Sequence, residues 1–94
     1  MQRILCVGIN VEMLAIRCAV LEASGYAAEF TTLANVQDIL QRWKFDLVIL
    51  PTMLSEKEKK HIRTVVPSET QALVLDRLVF PRELLRLVAE AFAE

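Results

Sequence analysis

Apolar and polar positions divide the chain into short segments of alternating character. Ile4-Leu5-Cys6-Val7 is a continuous apolar run closed by Gly8 and Asn10. A run with no polar face predicts a strand buried on both sides, and hence a parallel sheet covered by helices on both faces. From about Val11 to Ser24 the period changes, and Leu14, Ala15, Cys18 and Leu21 form one helical stripe. Ser24-Gly25 supplies the stop, with Gly25 suited to the left-handed position after a helix. Tyr26 to Thr32 is rich in aromatic and β-branched residues and predicts a second strand. Its Ala27, Ala28 and Glu29 make it less apolar and place it at an edge.

Asn35 is a candidate cap for a second helix, whose Val36, Ile39, Leu40 and Trp43 follow i, i+3, i+4, i+7 spacing and predict a core stripe that includes Trp43. Phe45 to Leu50 contains Leu47-Val48-Ile49-Leu50, the strongest buried-strand signal in the chain. Pro51 ends it, since a proline has no donor for a central strand. Ser55-Glu56-Lys57-Glu58 matches a capping box, and the helix it opens, to about Val65, has so few apolar residues that it must be largely exposed. Pro67 breaks that helix. Gln71 to Leu75 predicts a fourth strand, and Arg77 to Phe80 a short link. Pro81 suits the first turn of a last helix carrying Leu84, Leu85, Leu87, Val88, Ala91 and Phe92. Strict strand–helix alternation with short connections predicts one α/β domain over residues 1–94, a doubly wound parallel sheet of four strands in three layers.

Composition sharpens this picture at one point. A chain of 94 residues buries only about 60–65% of its unfolded surface, yet 54% of its residues are hydrophobic and its mean hydropathy is +0.37. Either the core is densely aliphatic or a partner covers part of the apolar surface. The formal net charge of −1 argues against a nucleic-acid or anionic-membrane footprint. Lys57, Lys59, Lys60, His61 and Arg63 are interleaved with Glu56 and Glu58, the mixture of a solvated helix face. Cys6 and Cys18 are not spaced as a metal or redox pair and read as small core residues in a reducing compartment. Without a leader or a membrane-length apolar run, the expectation is a soluble, cytoplasmic protein.

Several of these segments resemble a known family. Arg3-Ile4-Leu5-Cys6-Val7, the helix ending Leu21-Glu22-Ala23-Ser24-Gly25-Tyr26, and Phe45-Asp46-Leu47-Val48-Ile49-Leu50 look like the first half of a response-regulator receiver domain. Pro81-Arg82-Glu83-Leu84-Leu85-Arg86-Leu87-Val88 is similar to that family's final helix. The resemblance implies a flavodoxin-like fold with its crevice at the carboxyl ends of the strands. In the family, two acidic residues after the first strand hold Mg²⁺, an aspartate ending the third accepts a phosphoryl group, and a hydroxyl residue and a lysine follow the last two strands. A carboxylate needs the divalent cation to offset charge as the phosphoryl group arrives. Here the acidic pair is replaced by Gly8 and Ile9 and the acceptor by Pro51. Asp76 and Arg77 stand near the places of the hydroxyl residue and the lysine. The resemblance therefore implies a pseudo-receiver with no phosphorylation, no metal, no cofactor and no catalysis, serving protein interaction in bacterial signalling or gene regulation.

The chain is also shorter than a receiver domain by about one strand–helix unit: Ala72–Leu75 aligns best with the family's fourth strand, or with its fifth if aligned backward from Leu84-Leu85, and on the first reading this strand should lie at an open edge. An apolar edge aggregates unless it is paired or covered. A homodimer is expected through Ala72, Leu73, Val74, Leu75, Leu78, Val79, Phe80, Leu84, Leu85, Val88 and Phe92, by edge pairing or exchange of the final helix. Alternatively the last helix packs back over its own sheet and covers the edge. A competing function is a small-ligand sensor or enzyme using the crevice near Gly8, Pro51 and Asp76. Of the remaining polar residues, His61 reads as a surface residue and Asp46 as a turn or cap residue opposite the crevice, while Asp76 and Arg77 either bind a small anion or, the favoured reading, salt-bridge each other.

Overall fold

The alternation of apolar runs and helical stripes folds into β1 (Arg3–Gly8), α1 (Val11–Ala23), β2 (Ala27–Thr32), α2 (Val36–Arg42), β3 (Leu47–Leu50), α3 (Glu56–Val65), β4 (Gln71–Val74) and α4 (Pro81–Ala93). The computed structural model describes residues 1–51, 54–75 and 79–93. The strands form one all-parallel sheet in the order β2-β1-β3-β4. Register runs from Arg3↔Ala27 to Gly8↔Thr32 between β1 and β2, from Ile4↔Leu47 to Cys6↔Ile49 between β1 and β3, and from Leu47↔Gln71 to Leu50↔Val74 between β3 and β4. The two strands with unbroken apolar runs, β1 from Ile4 to Val7 and β3 from Leu47 to Leu50, are central, and β2, with its exposed Glu29 and Phe30, lies at an edge as its composition predicts.

Successive strand residues point to opposite faces, so each central strand feeds two cores. Ile4, Cys6, Leu47 and Ile49 pack against Leu14, Cys18 and Leu21 of α1 and Leu84 and Val88 of α4. Leu5, Val7, Val48 and Leu50 pack against Val36 and Leu40 of α2 and Ile62 of α3. Each fully buried aliphatic side chain contributes about 1.5–3 kcal/mol relative to exposure. Ala15, expected on the inner stripe of α1, is exposed.

The helix ends account for most of the punctuation. The Asn10 side chain accepts from the N–H of Met13 at 3.2 Å and caps α1. At its other end Gly25 has φ +96°, and Tyr26 N–H and Gly25 N–H donate to the carbonyls of Leu21 and Glu22 at 3.1 Å each. That is the paired bonding of a Schellman motif, which requires the left-handed residue. The predicted capping box of α3 is present in both directions: Glu58 N–H donates to Ser55 Oγ at 3.1 Å, and Ser55 N–H to Glu58 Oε1 at 2.9 Å. That helix buries only Ile62 among its residues, as its polar sequence requires.

Two expectations are corrected. Asn35 makes no side-chain cap to α2; its Nδ2 donates instead to Thr32 Oγ1 at 3.4 Å, and its φ of −111° and ψ of 0° are not those of a capping residue. Trp43 is 55% exposed, not core. The helix stops at Arg42 and Trp43 is extended, at φ −131° and ψ 148°, so helical spacing no longer aims its side chain. The guanidinium of Arg3 stacks over it, 5.6 Å from the ring centroid, and over Phe45 at 5.0 Å.

Candidate functional site

A parallel doubly wound sheet opens its crevice beyond the carboxyl ends of its strands. Gly8 closes β1 there and is buried; Ile9, directly after it, is 73% exposed. Pro51 follows β3 and is half-buried. Leu75 follows β4, is buried, and donates its N–H to the Leu50 carbonyl at 3.1 Å. The predicted site residues Asp76 and Arg77 lie outside the described residues, as does Leu78. The described residues that the loops after β1 and β3 bring to this end, Gly8, Ile9, Asn10 and Pro51, include no ionisable side chain, and the Asn10 carboxamide oxygen is occupied by α1.

Gly8 has a packing role. A Cβ built on it would stand 3.1 Å from Leu14 Cδ2, closer than ordinary van der Waals contact, so the glycine lets the first turn of α1 settle against β1. Among the described residues, no group of three or more His, Cys, Asp or Glu side chains stands together to hold a metal ion. His61 is exposed on α3, where its carbonyl accepts from Thr64 Oγ1 at 2.6 Å. In the same helix the Ser55 backbone and hydroxyl bonds hold the Glu58 carboxyl below its usual range.

At the opposite end of the sheet Asp46 ties three strands together. Its Oδ2 accepts from Arg3 N–H at 2.7 Å, its own N–H donates to the Arg3 carbonyl at 2.8 Å, and its carbonyl accepts from Gln71 N–H at 3.1 Å. The expected structural role of Asp46 is what the structure shows. Beside it, buried Thr70 donates from Oγ1 to the Phe45 carbonyl at 2.8 Å, a bond no sequence pattern signals.

The outer strand is the feature least satisfied by the chain itself. The N–H groups of Gln71 and Leu75 point inward to the carbonyls of Asp46 and Leu50. A parallel ladder alternates, so the backbone groups of Ala72 and Val74 point outward from the sheet. Ala72 is exposed and Val74 is 41% exposed. A hollow of about 390 Å³ lies between β4 and α4, lined by Gln71, Ala72, Leu73, Leu87, Glu90 and Ala91. On the other face, Ala72 and Val74 join Ile62 and Val66 around a hollow of about 210 Å³. The last helix does pack back on its own sheet, seating Leu84 and Val88 in the core and stacking Phe92 on Tyr26 at 5.7 Å between ring centroids. It covers one face of the sheet and leaves Ala72 and Val74 bare.

The residues expected at a dimer interface thus fall into different settings. Leu75, Leu84 and Val88 are buried in the chain's own core, Leu73, Val79, Leu85 and Phe92 are half-buried against it, and Phe80 is 84% exposed. Apolar exposure is not confined to this end. Ile9, Val11, Met13 and Ile16 are all more than a third exposed around the start and outer face of α1, a surplus that the inner-stripe pattern conceals. A cavity of about 540 Å³ opens at the β2 edge between α1 and α2, lined in part by Cys18, Phe30 and Trp43 and not by Gly8 or Pro51.

No family model matches the sequence, and no curated protein matches it either. Solved structures do. A CheY-like response-regulator receiver domain protein from Methanospirillum hungatei superposes with a TM-score of 0.70 over 97% of this chain and 93% of that one, at 17% identity. The chemotaxis protein CheY4 of Vibrio cholerae superposes with a TM-score of 0.65 over 96% of this chain and 98% of that one, at 18% identity. With four parallel strands and four helices in this order, the chain has the flavodoxin-like fold of CheY-like response-regulator receiver domains.

Proposed function

We propose that this protein is a pseudo-receiver: a signalling module that accepts no phosphoryl group, catalyses no reaction, and works in the cytoplasm by binding proteins, beginning with a second copy of itself. The observation that carries the reading is the outer edge of β4, apolar, unpaired among the described residues and hollowed on both faces. An edge of this kind is a template for another strand, and two-fold pairing of β4 with its copy closes it on both chains at once. Ala72, Leu73 and Val74 would form the centre of the contact, with Leu87 and Ala91 of α4 beside them. Leu75, Leu84 and Val88 would take part only by exchange of α4, since each is already buried at home.

The receiver fold supports a role in signal transduction, and the substitution pattern supports the loss of phosphorylation. A neutral Gly8–Ile9 pair offers Mg²⁺ none of the hard oxygen ligands it needs, and Pro51 has no carboxylate to attack phosphorus.

The test has two arms. Sedimentation at micromolar concentration is expected to show a dimer, and Val74→Lys, which puts a charge on the edge, is expected to give a folded monomer. A wild-type chain that sediments as a well-folded monomer refutes the dimer. Separately, acetyl phosphate or beryllofluoride with Mg²⁺ is expected to leave the NMR spectrum unchanged. A saturable shift refutes the pseudo-receiver reading.

A further inference from the structure

Twelve positions separate Cys6 from Cys18, yet the fold brings them together. Cys6 points from β1 towards α1, and Cys18 lies on the inward stripe of α1 with Leu14 and Leu21. Both are free, buried thiols in the same core cluster, and Cys18 lies one helical turn beyond Leu14, which seats on Gly8, so it comes level with Cys6 on the facing strand. They differ in access. Cys6 is fully buried, whereas Cys18 is 6% exposed and lines the 540 Å³ cavity at the β2 edge. The residues around it there include Ala15, Ala19 and Ala28, small side chains that leave the approach to Cys18 open.

We propose that Cys6 and Cys18 form a reversible peroxide-sensitive pair, in which Cys18 is oxidised first and Cys6 then closes a disulfide that staples α1 to β1. In the first step the Cys18 sulfur attacks a hydroperoxide oxygen. An S–O bond forms, the O–O bond breaks, and water (or an alcohol) leaves, giving a sulfenic acid. In the second step the Cys6 sulfur attacks the Cys18 sulfur, an S–S bond forms, the S–O bond breaks, and water leaves. Two thiols are oxidised by two electrons in all, and the peroxide is reduced by the same two.

The electrostatics support this order of events. The Cys6 thiol stabilises the Cys18 thiolate by hydrogen bonding, which lowers the Cys18 pKa against the opposing effects of burial, Glu22 and Glu29. The same bond, together with burial, keeps Cys6 protonated far above the ordinary thiol range. The thiolate is the nucleophile, and Cys18, at the cavity wall, is the thiol that a peroxide can reach. Closing the disulfide draws the sulfurs in to a bond of about 2.05 Å. The movement falls on α1 one turn beyond Leu14, the side chain seated against Gly8, so oxidation reaches the crevice end of the sheet.

The experiment uses the whole wild-type chain. Trypsin cleaves after Arg3, Arg17 and Arg42, which puts the two cysteines on separate peptides. After a short pulse of hydrogen peroxide on the folded protein, the intact mass is expected to fall by about 2 Da and the two peptides to appear crosslinked. A thiol reductant is expected to restore them. Without peroxide, iodoacetamide is expected to label Cys18 at least about tenfold faster than Cys6 under native conditions. Cys6→Ala, checked for folding by circular dichroism, should leave the Cys18 sulfenic acid unresolved and open to capture by dimedone. Equal labelling of the two thiols, reaction only after denaturation, over-oxidation with no crosslink, or a crosslink between chains instead of within one each overturns the proposal.

Discussion

Thr70 precedes β4 and anchors its start, and its hydroxyl is the natural place to ask how firmly the outer strand is held. Replacing it with valine keeps the volume and the β-branch while removing the donor to the Phe45 carbonyl. The lost hydrogen bond is worth about 0.5–1.5 kcal/mol, and a buried carbonyl left without its donor costs about 1–3 kcal/mol. Burial of a methyl in place of the hydroxyl offsets about 0.8 kcal/mol of this. Thr70→Val is therefore expected to cost about 1–2 kcal/mol. In a domain of this size that lowers Tm by about 5–15 °C. The variant set separates the causes. If the bond decides, valine and alanine are the worst replacements and serine the mildest. If packing decides, valine matches wild type while serine and alanine fall together. Thermal and urea unfolding by circular dichroism, at one fixed protein concentration because association shifts Tm, measure the order. A Thr70→Val protein as stable as wild type refutes the reasoning.

Further outcomes follow from other parts of the fold. Ile49→Ala empties a fully buried position in the central strand β3 and is expected to cost about 2–5 kcal/mol by urea denaturation. Gly25→Ala forces φ +96° on a side chain and is expected to cost about 1–2 kcal/mol, although nothing obstructs the added methyl. Glu58 has a folded pKa below its unfolded value, so its contribution is full above the unfolded pKa and is lost as pH falls through the folded one. Glu58→Gln, which can still accept from Ser55, should flatten that acid limb in a pH series of melting curves. Ser55→Ala is expected to cost about 1 kcal/mol at neutral pH in the same measurement.

Pattern and punctuation foretell the fold well because its strongest determinants are local. The unbroken Leu47–Leu50 run, the capping box at Ser55 and Glu58, and the Gly25 stop each do in space what they imply in sequence. Asn35 and Trp43 fail for a shared reason: each lies at an end of α2, where one residue's change of backbone dihedral redirects the side chain. The meeting of Cys6 and Cys18 in one core cluster is invisible in the sequence because the spacing rules for thiol motifs describe neighbours in sequence, and these two residues come from different layers. The absence of an ionisable side chain at Gly8, Ile9 and Pro51 is legible in single letters. The role of Gly8 as a seat for Leu14 is not, since it depends on where α1 lands.

The alternation of backbone directions along β4 gives the outer strand a built-in reporter. Gln71 and Leu75 donate their amide hydrogens into the sheet, while those of Ala72 and Val74 point away from it. In a lone chain, deuterium should enter Ala72 and Val74 far sooner than Leu73 between them, giving a sawtooth of protection from Gln71 to Leu75. A partner strand laid against the edge protects the exposed members and smooths the sawtooth, whereas contact through α4 alone leaves it intact. Residue-resolved amide exchange can thus distinguish the two ways of joining the chains without any substitution.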